Sequence, residues 1–526
     1  MPLQRRSVFE LELHSAAAYR NPFLDVELEA TFISPDGTAY AMPGFFDGDE
    51  TWRVRFSPNV AGTWHYSTAA QIGDPALVKA GQIEVIEPPE PVRGFLRTCP
   101  GKCWGLEWES GEPCFVLGDT MYNIFGAAHC ELDVETVLRR RAAQGFNLIR
   151  ARVPVSPFHP PDGHSDWQDR STLPWGGSQQ RPLLDRFNLG YFRSVDRVVR
   201  RCAELGLGLE MIMEAWGFEY PFNERSRFTP EYEELWMRYL IARYDAYSSV
   251  AVWTLMNEYE FYPDGNWNYN PDADLWAVRL GRWVKRTAPH GHIVAVHNGP
   301  RLPRFADRFR RAPGVIDLIM FQDWGTRDAE NGWLAAGIEE VMTQALEGWP
   351  GAFIFAEWGY ERNPDLDMRM PSHTYCDPEH TRRGAWRGAF CATGLIHGWE
   401  NTWGPWWVPD SDQEGMKYLL IVRDFFRDVV PFHRLAPDQA RIVDGGTGQP
   451  GTKPLCLSTA EGGWVLAYLP VSADVTLRLP GGAYIAEWFD PRSGQRQPAT
   501  GRANGTEQCF TPPTTGREDW VLVLRR

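Results

Sequence analysis

Val195-Asp-Arg-Val-Val-Arg-Arg-Cys-Ala-Glu-Leu205, followed by Leu207-Gly-Leu-Glu-Met-Ile-Met213, is the stretch whose reading decides the fold. The first part reads as a helix and the second as a short apolar strand. The pairing recurs in both directions. Asp133–Gln144 precedes Gly145-Phe-Asn-Leu-Ile-Arg150, Glu231–Ala246 precedes Val250–Met256, and Asp274–Thr287 precedes Ile293–Val296. Ile316–Phe321 is a sixth apolar run; Gly337–Leu346 leads to Ala352–Ala356, and Thr381–Thr393 to Gly394–Trp399. With Phe115–Asp119 at the head, eight strands alternate with helices, which implies parallel βα units and, over roughly 320 residues, a (β/α)8 TIM barrel. A doubly wound sheet would alternate too, but it wants a Gly-rich phosphate loop after strand one, and Gly118-Asp-Thr-Met-Tyr122 is not one.

On either side the rhythm is that of short strands. Val8–Leu13, Val26–Ser34, Thr51–Phe56 and Thr63–Thr68 are separated by turn clusters such as Ser34-Pro-Asp-Gly37, a pattern that predicts a β-sandwich over residues 1–92. Glu87-Pro-Pro-Glu-Pro91 reads as a stiff linker. The barrel is expected over 93–432, closed by a helix at Glu414–Phe426. A second β-sandwich over 433–526 carries Gly463–Leu469, Val475–Leu479, Tyr484–Asp490 and Trp520–Leu524.

The 526 residues have room for about three domains. No run of roughly 18 apolar residues occurs, so a membrane helix is not expected, and the net charge of −15 argues against nucleic acid or an anionic membrane as main partner. Nine Cys are scattered without zinc spacing, Cys99 and Cys103 being the one close pair, which favours reduced buried thiols. The first 20 residues lack the apolar core of a signal peptide. A cytoplasmic location is the expectation, though a secreted protein trimmed of its leader would look the same. The 24 Trp suit either an aromatic core or flat surfaces for stacking a ligand.

In a barrel the active-site groups come from the C-terminal ends of the strands. Strand four ends in Met256-Asn257-Glu258 and strand seven in Ala356-Glu357-Trp358. A carboxylate directly after an apolar strand is costly unless paired or functional. Each Glu alone could equally cap the following helix or pair with an Arg. Two of them, three βα units apart, are what glycosidic bond cleavage needs: one to protonate the leaving oxygen, the other to attack the anomeric carbon.

These residues carry a resemblance. Asn257-Glu258 and Glu357 resemble the acid/base and nucleophile of clan A glycoside hydrolases. Leu117-Gly-Asp119-Thr120 and Gly145-Phe-Asn147 are similar to the first two barrel strands of the apiosidase-like group. Asn21-Pro-Phe, Pro43-Gly-Phe-Phe-Asp-Gly48 and Val54-Arg-Phe-Ser-Pro58 resemble the sandwich domain that precedes such barrels, and Trp488-Phe-Asp-Pro-Arg-Ser-Gly494 its C-terminal β-domain. One departure stands out. Many clan A enzymes end strand six in a Tyr that bonds the nucleophile, whereas this chain has Phe321-Gln322-Asp323-Trp324, so Gln322 is the expected substitute.

The resemblance implies retaining double displacement, with Glu357 as nucleophile, Glu258 as acid/base and carboxyl groups roughly 5–5.5 Å apart. It also places Asn257 on the sugar 2-hydroxyl and Arg150, rather than Arg152, beside Glu357. Asp119 either binds sugar hydroxyls or caps the next helix; His297 and Asn298 end strand five and join the binding candidates. Trp216, Trp324, Trp358, Trp399 and Trp403 fall at strand ends and are the candidate sugar platforms, with Glu400 taking hydroxyls. Trp276 and Trp283 fall on a helix and read as core packing. The long loop Ser156–Asn188, with Trp167 and Trp175, either walls the cleft or is a surface insertion.

No cofactor is implied: the chain has no His-Glu-x-x-His, phosphate loop or Gly-x-Ser-x-Gly. The expected partner is a plant or microbial oligosaccharide or glycoside. A cytoplasmic enzyme would take imported fragments, which favours exo-action, while an open groove would favour an endo-acting polysaccharide hydrolase. A catalytically silent carbohydrate-binding barrel and an adhesive scaffold are the competing classes. Homo-oligomer formation is left open.

Overall fold

The computed structural model describes residues 2–99, 105–155, 174–178, 181–215, 221–263, 265–266, 268–299, 308–309, 312–323, 327–328, 332–333, 349, 351–365, 375–403, 407–449, 451–504 and 506–526. Eight parallel strands run in sequence order: β1 (Val116–Thr120), β2 (Leu148–Arg152), β3 (Gly208–Glu214), β4 (Val250–Met256), β5 (Ile293–His297), β6 (Leu318–Gln322), β7 (Ala352–Glu357) and β8 (Gly394–Trp399). β1 pairs with both β2 and β8, so the sheet closes on itself. This is the expected TIM barrel.

Alternation along the strands sorts the side chains into two layers. Val116, Leu148, Val252, Ala295, Met320, Ile354 and Ile396 fill the interior. Leu117, Met211, Trp253, Phe353 and Leu395 pack outward on the helices. Helix Leu189–Leu205 shows why the opening stretch folds as it does: Asn188 caps its first turn, Val195, Val198, Val199 and Cys202 bury one face, and Gly206 ends it in the left-handed conformation.

A hairpin that sequence reading missed, Leu96–Thr98 with Leu106–Trp108, precedes β1. Its Leu96, Leu106 and Trp108 share the interior cluster with the lower strand residues. The hairpin therefore covers the N-terminal end of the barrel and leaves the C-terminal end for chemistry.

The N-terminal region forms a five-stranded and a three-stranded sheet. They enclose Leu11, Leu13, Phe32, Val54, Trp64, Ile83 and Val85. The added strand Ala80–Ile86 has only Ile83 and Val85 buried, too sparse an alternation to stand out by eye. The C-terminal region is a six-stranded and a four-stranded sheet around Val465, Leu477, Trp488 and Phe510. Both dock on the barrel through buried ion pairs. Arg55 and Arg243 flank Asp196 at 3.0 and 2.8 Å; burial opposes its ionisation, yet the two guanidinium groups hold its carboxyl down to about 2. Arg382 meets Asp519 at 3.0 Å on the other side. Six of the eight described cysteines are buried; Cys103 lies outside the described residues.

Candidate active site

Glu357 ends β7, where alternation would turn it outward, since Ile354 and Ala356 face the interior. The β6–β7 ladder shifts register between Phe321 and Gln322 and sets Gln322 opposite Glu357. Such a bulge re-aims a side chain, and the Glu357 carboxylate meets Arg150 inside the barrel. Arg150 Nη1 donates to Glu357 Oε2 at 3.0 Å and to the Ala356 carbonyl at 3.3 Å. Its Nη2 donates to Asn257 Oδ1, and its Nε lies 3.5 Å from Glu210 Oε1. Glu210 also accepts from Thr254 Oγ1 at 2.8 Å. One buried cation thus serves two carboxylates, the arrangement that makes a charge in a barrel interior tolerable.

Tyr122, just beyond β1, adds a second donor: its Oη reaches Glu357 Oε2 at 3.1 Å and Asn257 Oδ1 at 3.4 Å. Tyr360 Oη in turn donates to Tyr122 Oη at 3.4 Å.

Glu258 follows β4 with φ 52° and ψ 51°, a left-handed conformation that costs a non-glycine residue about 1–2 kcal/mol. Gly299 packs close beside it, where an added Cβ would come within 2.9 Å of the Phe261 ring. Gln322 Nε2 donates to Glu258 Oε1 at 2.5 Å. Burial first, and then the charge of Glu357, push the Glu258 carboxyl up to about 8 against the opposing effect of Gln322. Glu258 therefore carries its proton at neutral pH, as a general acid must. Glu260 is buried beside it and pushed up to about 7 by burial, with the Gly299 amide opposing.

His297 ends β5 facing inward, its Nε2 3.9 Å from Glu357 Oε2. Burial, reinforced by Arg150, drives its pKa well below the usual value, so the ring is neutral. Both ring nitrogens, Asn257 Nδ2, Glu258 Oε2 and Thr120 Oγ1 are buried and have no hydrogen-bond partner among the described residues. Buried polar atoms are nearly always paired, and such a cluster around two carboxyl groups is the signature of a polar-ligand site.

The structure brings Glu258, Glu357, Arg150, Asn257, His297 and Gln322 together and corrects other expectations. Gln322 bonds Glu258, not Glu357; the phenol on Glu357 comes from Tyr122. Asp119 points to the helix layer, where Arg141 Nε donates to it at 2.6 Å, so it is a structural ion pair. Trp358 and Trp399 are fully buried in that outer layer, stacked on or against His397, and are core residues rather than sugar platforms. Asn298 is held by Glu260 Oε1 at 3.0 Å. Glu400 accepts from the Asn363 amide and is pushed up to about 7 by burial, which that amide opposes. Trp175 packs 4.6 Å from Trp236, within the helix layer and not on the cleft. Trp276 is core, as expected, with Nε1 on Glu233. Trp167, Trp216, Trp324 and the Trp403 side chain lie outside the described residues. Among the described residues no group of His, Cys, Asp and Glu is arranged to hold a metal ion.

A closed parallel barrel with paired glutamates at strand ends four and seven defines a glycoside-hydrolase-like protein. The apiosidase-like catalytic domain model matches residues 105–427, and the chain belongs to that family. A domain of unknown function, DUF5060, matches residues 3–71, and a collagen-binding-like domain model matches 436–525. Among solved structures, a candidate glycoside hydrolase from Bacteroides vulgatus is 17% identical with a TM-score of 0.70, over 100% of this chain and 99% of that one. A glycoside hydrolase family 5 protein from the same organism is 16% identical with a TM-score of 0.61, over 82% of this chain and 93% of that one. At these identities the likeness is one of fold. No curated relative matches the chain by sequence.

Proposed function

We propose that this protein is a retaining glycoside hydrolase acting by double displacement on an oligosaccharide or glycoside. The observation that carries the reading is the contrast between two neighbouring carboxyl groups. Glu258 is kept protonated by burial and by Glu357, while Glu357 is held by Arg150 and Tyr122. Glu357 attacks the anomeric carbon as Glu258 protonates the departing oxygen. Esterification removes the Glu357 charge, the Glu258 carboxyl becomes more acidic, and it then takes a proton from the water that releases the sugar. Asn257 Nδ2 is the natural donor to the 2-hydroxyl, and neutral His297 can give or accept one hydrogen bond at a neighbouring hydroxyl.

A panel of aryl glycosides of apiose, galactose, arabinose and glucose type tests the proposal, with Glu357→Gln as control. Turnover by the wild type alone, with the anomeric configuration retained by NMR, is expected; an inverted product would sink the double-displacement mechanism. Glu258→Ala should recover activity with azide on substrates carrying good leaving groups. Exo-action is the finer form of the proposal, and release of internal fragments from a polymer would overturn it.

A further inference from the structure

We infer that Tyr122, at the end of β1, is the positioning residue that steadies the departing Glu357 carboxylate during deglycosylation, an inference that rests on the double-displacement reading. Nothing in the chain's strand-six sequence supplies a phenol: β6 ends in Gln322, and Gln322 is committed to Glu258 at 2.5 Å. The donors on Glu357 are instead Tyr122 Oη at 3.1 Å and Arg150 Nη1 at 3.0 Å, and both fall on Oε2. That leaves Oε1 as the oxygen that attacks, with Oε2 becoming the ester carbonyl. Tyr122 is itself fixed from two sides. Tyr360 Oη donates to it at 3.4 Å, and the Arg150 and Arg152 guanidinium groups lie 5.3 and 5.4 Å from its ring centre.

The two chemical steps load this hydrogen bond in opposite directions. In glycosylation Glu357 loses charge as its bond to the anomeric carbon forms, so the Oε2 donors weaken on the way to the transition state. In deglycosylation water attacks the anomeric carbon and passes its proton to Glu258. In the same displacement the bond from the anomeric carbon to Glu357 breaks, with its electron pair returning to the carboxylate. Charge grows on Glu357 in that second step, and a preset donor is worth most where charge develops. A phenol on the nucleophile therefore assists the second step selectively.

The test is Tyr122→Phe, assayed on a dinitrophenyl glycoside turned over by the wild type. We expect kcat to fall roughly 10- to 100-fold and KM to fall by a similar factor as the glycosyl-enzyme accumulates. kcat/KM should stay within about threefold, and a pre-steady-state burst should appear. Burst amplitude counts competent sites, so partial misfolding lowers the amplitude without altering the rate constants. Unchanged kcat and KM, or kcat/KM falling in step with kcat at constant KM, would overturn the role of Tyr122 while leaving the hydrolase reading intact. A wild type inert toward the whole panel would overturn both.

Discussion

Replacing Glu357 by Gln should make Glu258 a markedly stronger acid. Three causes raise the Glu258 carboxyl to about 8, burial first, then the negative charge of Glu357 and last that of Glu260, and the substitution removes only the second. Two unit charges about 5.5 Å apart, the separation retention requires, interact by about 3 kcal/mol at an effective dielectric constant of about 20. At 1.36 kcal/mol per unit that is about two pKa units. Glu258 should then titrate near 6, still above an ordinary glutamate because its burial is untouched. Carboxyl 13C NMR titration would follow it, with the resonance assigned by its disappearance in Glu258→Gln. A midpoint in Glu357→Gln within half a unit of wild type would refute the electrostatic reasoning, because the Glu357 charge would then contribute almost nothing to the shift. The same titration predicts the pH profile. Glu258 acts as an acid only while protonated, so kcat/KM on substrates with poor leaving groups should fall above about pH 8.

Three further outcomes follow from the geometry. A carboxyl whose folded pKa is raised favours the fold while protonated, so the Glu258 contribution is harmless below its unfolded value of 4.5 and becomes a growing cost as pH rises to about 8. Glu258→Gln should thus stabilise the barrel by about 3 kcal/mol at pH 7 but only about 1 kcal/mol at pH 5; a difference in denaturation that is flat with pH would contradict this. Arg150→Ala leaves Glu357 and Glu210 buried without their shared cation, and should cost about 3–5 kcal/mol; a melting temperature within a degree of wild type would show that the pair is not buried together. Asp119→Asn should lower thermal stability through Arg141 and leave KM within about twofold, whereas a tenfold rise in KM would place Asp119 in the sugar site after all.

The barrel was legible because each βα unit announces itself locally, through an apolar run after a helical stretch, and eight such units admit few closures. The strand ends were legible for the same reason, and with them Asn257, Glu258, Glu357 and Arg150. Tyr122, Glu210 and Glu260 were not. Glu210 sits as a charge inside the apolar run Leu207–Met213, a signal of the kind that picked out Arg150, but its partner lies on another strand. Tyr122 and Glu260 lie in short segments beyond strand ends, where no periodicity says which way a side chain turns.

The tryptophans mark the division between the two sources of information. Strand-end position alone placed Trp358 and Trp399 at the mouth of the barrel, yet a residue one place along a strand faces the opposite side, and both indoles turn into the helix layer. Glu357 breaks the same alternation in the other direction, because the shift at Gln322 turns it inward. Sequence by itself determined the architecture, the two glutamates and the strands that carry them, since these depend on local pattern. Only the tertiary structure decided which neighbours share the barrel interior, because facing direction depends on a one-residue register that the order of amino acids leaves open.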